Sequence, residues 1–80
     1  DYIDEVKNFL SFIDDNLINY KAVKMELNYL IIILKLQIKN INYDNSNEAI
    51  NLYNQIINSE FSSSIIKERV KKIHEFFYYQ

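Results

Sequence analysis

Eighty residues with no Cys, Gly or Pro, a single His and a formal charge of −2 make at most one domain, near the lower size at which apolar packing alone sustains a fold. Absence of Cys excludes a disulfide scaffold, and one His cannot build the common zinc sites, so neither metal nor other cofactor is expected. The charge balance gives no general attraction to nucleic acid, and without Gly or Pro the usual tight turns lose their preferred residues, which favours long helices.

The chain starts at Asp1 rather than Met, as a processed or excised polypeptide does, so any targeting segment is out of view. Its longest apolar run falls short of the roughly 18 to 20 residues that a bilayer crossing needs, and no membrane partner is expected.

From the start, Ile3, Val6, Leu10, Ile13, Leu17, Tyr20, Val23, Leu27, Leu30, Leu34, Ile38 and Ile41 follow one another by threes and fours. This spacing predicts one continuous helix over about 2–41, close to 60 Å long at ~1.5 Å per residue, and therefore a rod-like molecule. Its stripe is expected to be the core, so that truncating Leu27, Leu30 or Leu34 opens a cavity.

The run 29-YLIIILKL-36 holds more apolar residues than one stripe uses. Ile18, Ala22, Met25, Tyr29, Ile32 and Leu36 form a second stripe roughly opposite the first. Helix 1 is thus apolar on two faces. One face can pack within the chain, and the other is expected to meet a partner, with Ile18, Met25, Tyr29, Ile32 and Leu36 as the partner-binding residues. That partner would be another protein's amphipathic helix or a second copy of the chain.

The polar segment 42-NYDNSN-47 breaks the pattern and predicts a loop over about 42–46, with Asn45 and Glu48 spaced as a capping box. Helix 2 is expected over about 47–79 on Ala49, Ile50, Tyr53, Ile56, Ile57, Phe61, Ile65, Ile66, Val70, Ile73, Phe76 and Phe77. A kink or break is expected near 61–64, where 62-SSS-64 competes for backbone groups. Acidic residues 1–15 (Asp1, Asp4, Glu5, Asp14, Asp15 against Lys7) and the basic set Lys67, Arg69, Lys71, Lys72 favour an antiparallel pairing. It would bring Asp15 near Lys72, Lys21 near Glu68 and Lys39 near Glu48. The fold class that follows is all-α, an antiparallel two-helix hairpin with coiled-coil character in a single domain, 1–80. The alternative is a break at Ser62–Ser64, with the last helix folded back over the second stripe of helix 1 in a small bundle.

Catalytic signals are sparse. Arg69 and His74 form R-x-x-x-x-H, a spacing that resembles the active-site motif of HEPN-family ribonucleases, in which an imidazole works beside a phosphate-holding Arg. The companion polar residues of that family are missing. The adjacent Asp14 and Asp15 point in different directions on a helix and do not make a dyad. The segment 48-EAINLYNQII-57 resembles the second helix of a tetratricopeptide repeat, but one unit does not bury a continuous core. In 76-FFYYQ-80, Phe76 or Phe77 is expected to end the core. No enzymatic activity is expected.

The long Ile/Asn/Lys-rich helices 20-YKAVKMELNYLIIILKLQIKN-40 and 64-SIIKERVKKIHEFF-77 around a polar loop, in a Cys-free chain of this size, resemble phyllogens, secreted effectors of phytoplasmas. The likeness is one of architecture and composition over most of the chain. It implies a helical hairpin secreted into a host cell, where it engages the coiled-coil K region of plant MADS-domain transcription factors and directs them to proteasomal degradation. That function needs no catalysis, only a helical face that joins a partner's amphipathic helices.

Overall fold

The computed structural model describes residues 2–10 and 18–78, without the side chains at 9, 10, 18 and 19. Four α-helices follow in order: α1 (Tyr2–Leu10), α2 (Ile18–Lys39), α3 (Asn47–Asn58) and α4 (Ser64–Tyr78), with a 3-10 turn, Tyr43–Asn45, between α2 and α3. The all-α class is as the sequence predicts. The rod and the unbroken hairpin are not. The described residues measure 35 × 30 × 18 Å, and α2, with its 22 residues, spans the longest dimension at about 33 Å.

Two departures from the expected hairpin have identifiable causes. At the front, Ile3 and Asp4 of α1 line one groove with Lys35, Ile38 and Lys39 of α2. On one straight helix Ile3 and Ile38 would stand about 52 Å apart. Helix 1 is therefore two helices, with the first turn of α1 lying beside the last turn of α2. Ile13, Leu17, Asp14 and Asp15 lie outside the described residues.

At the back, serines end one helix and start the next. Ser59 has extended backbone angles and its Oγ donates to the Ile56 carbonyl at 3.0 Å, while Ser63 Oγ accepts from the Ile66 amide at 3.2 Å and caps α4. Ser62, buried, donates its hydroxyl proton to Ser59 Oγ. Side-chain oxygens here replace intrahelical partners, as serine does at helix ends. The break expected near 61–64 occurs at 59–63.

Asn40 answers the missing glycines. Its φ is 57°, the left-handed conformation that Asn tolerates better than most residues. It closes α2 in a Schellman motif: Ile41 N–H donates to Leu36 O at 2.9 Å and Asn40 N–H to Gln37 O at 3.2 Å. The N-cap of α3 is Ser46, whose Oγ accepts from the Ala49 amide at 3.2 Å. The cap thus falls one residue after the expected Asn45. Serine, like asparagine, satisfies an orphan amide there.

The core is built by Ala22, Tyr29, Ile32, Ile33 and Leu36 of α2, Tyr43 of the 3-10 turn, Ala49 and Ile56 of α3, and Ile66 and Val70 of α4. Tyr29, Ile56 and Val70 are the largest side chains with no exposed surface. α4 folds back over the second stripe of α2, as in the alternative named above, but α3 packs on that stripe too instead of on the first.

Candidate interaction surface

Folding back of α4 inverts the two stripes of α2. Tyr29, Ile32 and Leu36, expected to face a partner, are buried in the chain's own core, and Met25 packs partly buried against it. Of the expected partner-binding residues, only Ile18 is undecided, because its side chain lies outside what the structure describes. The physical reason is that α3 and α4 together make a larger apolar surface than one straight helix could. They settle on the stripe that carries small Ala22 and Tyr29, whose hydroxyl bonds to Tyr43 of the 3-10 turn.

Most of the expected core stripe points outward, with Leu30 half-buried. Tyr20, Val23, Leu27, Leu34, Ile38 and Ile41 are exposed, Leu34 at 54% and Ile38 at 74% of their surface. Spaced by threes, fours and sevens, the first five share one side of α2. Lys24 and Lys35 border this stripe along one edge, continued by Lys39, while Gln37 is on the other edge. Ile31 also lies on the outward half of α2, yet it is buried and stands apart from the main core. The element on that side is α1.

The inward side carries a polar thread. Tyr29 Oη lies 2.7 Å from Tyr43 Oη, which lies 2.9 Å from His74 Nδ1. Burial, with Glu75 opposing, lowers the His74 pKa below its ordinary 6.5, which favours the neutral ring; with its proton on Nε2, Nδ1 accepts from Tyr43 and the Tyr43 oxygen accepts from Tyr29. The phenols agree with this direction. Burial and donation both raise Tyr29, whereas at Tyr43 burial raises and the bond received from Tyr29 lowers. The Tyr53 ring stacks on His74 at 3.9 Å, and Phe77 stacks on Tyr43.

Arg69 and His74 do not converge. Five residues apart on α4, they diverge by about 140° around its axis. The Arg69 guanidinium grips Glu26 with two hydrogen bonds, Nε to Oε2 and Nη2 to Oε1, both 2.6 Å, while His74 turns to the tyrosines. This pair joins α4 to α2 and takes the place of the pairings expected for a hairpin. It was hidden in the sequence because it requires α4 to lie beside Glu26, a position set by the break at 59–63. At the C-terminus Phe77 packs on the core, and Phe76 is exposed with its ring edge against Phe77.

Comparison with family models, curated proteins and solved structures gives no match. Among the described residues, no group of three or more His, Cys, Asp and Glu side chains could hold a metal ion, and no helix is long and apolar enough to cross a membrane.

The polar thread makes stability depend on pH. Because the folded chain holds His74 below its ordinary pKa, the unfolded chain takes up the proton first as pH falls. The His74 contribution is complete above about pH 6.5 and is lost as pH drops from there through the folded value. Protonation also turns Nδ1 into a donor, leaving the Tyr43 proton without its acceptor. Thermal melts at about pH 7.5 and 5.5 should show a fall in Tm that His74→Gln reduces. An equal fall in both proteins would place the acid sensitivity elsewhere.

Proposed function

We propose that the chain is a non-enzymatic interaction module that binds an amphipathic helix of another protein along the outward side of α2. One observation carries this reading: Val23, Leu27, Leu34 and Ile38 form an exposed apolar stripe on a helix whose opposite side already fills the core. Contiguous exposed apolar patches of this kind serve association. The K region of MADS-domain proteins, an amphipathic coiled coil, is the partner implied by the resemblance to phyllogens and is the first to test. Secretion and a link to proteasomal degradation belong to the same proposal.

The test is calorimetric titration of a K-region coiled coil with the full chain and with the double variant Leu34→Asp, Ile38→Asp. Both side chains are largely in water, so the variant should keep its melting temperature while losing binding by an amount typical of central anchors, about 2 kcal/mol or more. Binding that survives the double change overturns the assignment of the face. RNA cleavage by the wild type, lost in His74→Ala, would overturn the non-enzymatic reading.

A further inference from the structure

The outward side of α2 already has a neighbour. α1 runs back along its lysine-bearing edge, where Ile3 and Asp4 line a groove of about 420 Å³ with Lys35, Ile38 and Lys39. It leaves the centre of the stripe, Leu34 and Ile38, open to water. α1 is itself a short amphipathic helix with Asp4 and Glu5 in its first turn, whereas α2 has four lysines and a single acid, Glu26, which Arg69 holds. An acidic apolar helix is therefore seated beside a basic apolar stripe.

The seat is imperfect. Lys35, with desolvation, lowers the Lys7 pKa, opposed by Glu48 and Asp4. Asp4 is the one carboxylate of α1 in the groove with Lys35 and Lys39, and Lys7 adds a like charge on the same helix. Like charges so placed oppose docking, as opposed charges along a helix pair select it.

We propose that α1 is an internal stand-in for the partner, and that the helix bound on α2 is amphipathic with acidic residues along the edge facing Lys35 and Lys39, competing with α1 for the groove at Ile38. This rests on the outward side of α2 being the docking face. A second copy of the chain is a poorer occupant, since an α2 packed antiparallel on this one sets its own lysine edge against Lys24 and Lys35. The partner's carboxylates add to the single negative charge that Asp4 brings to Lys35 and Lys39, and the partner's apolar side chains cover Leu34 and Ile38, which α1 leaves exposed.

The experiment uses two synthetic helical peptides with the same leucine stripe, one edged with glutamate and the other with lysine, titrated by fluorescence anisotropy into the full chain. The glutamate peptide should bind roughly tenfold tighter, as a few exposed ion pairs allow, and this advantage should shrink at high salt. Ile3→Asp, which weakens the seat of α1 outside the main core, should strengthen binding, because a larger fraction of molecules is open. Lys7→Glu, which improves that seat, should weaken it. Equal affinity for the two peptides, or no response to either α1 variant, overturns this proposal while leaving the docking face in place. Failure of both peptides to bind even Ile3→Asp, or binding unchanged by Leu34→Asp, overturns the docking face as well. Dimerisation of the chain at the peptide's concentration, abolished by Leu34→Asp, would give the face to a second copy and also reject the acidic partner.

Discussion

Ile32→Ala is expected to lower stability by about 2–5 kcal/mol and Leu34→Ala by no more than about 0.5 kcal/mol, although the two positions are two residues apart on the same helix. Ile32 keeps 7% of its surface exposed, packed among residues of the core, and Leu34 keeps 54%. Truncating Ile32 removes buried methyl groups and leaves a cavity, which neighbours anchored on three helices cannot fully close. Truncating Leu34 returns exposed surface to water with little change. For a domain near the lower limit of size, the first loss is a large part of the total stability. Urea denaturation of both variants decides the point. A larger loss at Leu34 would restore the arrangement in which the 27–30–34 stripe is the core.

Tyr43→Ala should cost about 3–5 kcal/mol, the range for truncating a buried aromatic. This one side chain, from a 3-10 turn of three residues, meets Tyr29 edge-on and Phe77 face-on, both at 6.4 Å between centroids, and the His74 ring at 5.4 Å. It locks the α2–α3 connection against α4. Tyr43→Phe retains the ring but leaves the buried Tyr29 hydroxyl without its acceptor and His74 Nδ1 without its donor, a loss of about 1–3 kcal/mol. Chemical denaturation of the two variants separates ring packing from the hydrogen-bond chain. Equal losses would assign the whole effect to the hydroxyl, and no loss in Tyr43→Phe would mean that water satisfies both partners.

Several elements follow from the chain alone. Threes-and-fours spacing from Ile18 to Ile38 makes α2 a helix in any context, because no other backbone period lines up those side chains. Polar residues 42–46 stop it, and the second helical segment begins at 47. The serines at 59 and 62–64 mark the break between α3 and α4, for a reason that is local: their hydroxyls bond the backbone amides and carbonyls at the helix ends. Even the two-faced character of α2 is written in 29-YLIIILKL-36.

Which face lies inside is a different kind of fact. Both stripes of α2 have the same period and nearly the same apolar content, so hydrophobicity along the chain is degenerate between them. The absence of glycine argued for uninterrupted helices, yet Asn40 supplies the left-handed turn, and α1 lies back along α2 rather than continuing it. With those reversals the elements, not the residues, choose the core. α3 and α4 together cover the Ala22–Tyr29–Leu36 side, and the Tyr29–Tyr43–His74 thread and the Glu26–Arg69 pair satisfy the polar groups that this choice brings together. Those contacts span 14 to 43 residues of sequence, beyond the reach of any local pattern. The sequence by itself determined the all-α class, the loop after α2 and the break between α3 and α4, but not the separation of α1 from α2. Only the tertiary structure decided which stripe of α2 is buried and which is left for a partner, because burial is a property of the surface that an element meets, and two equivalent surfaces are distinguished only by what packs on them.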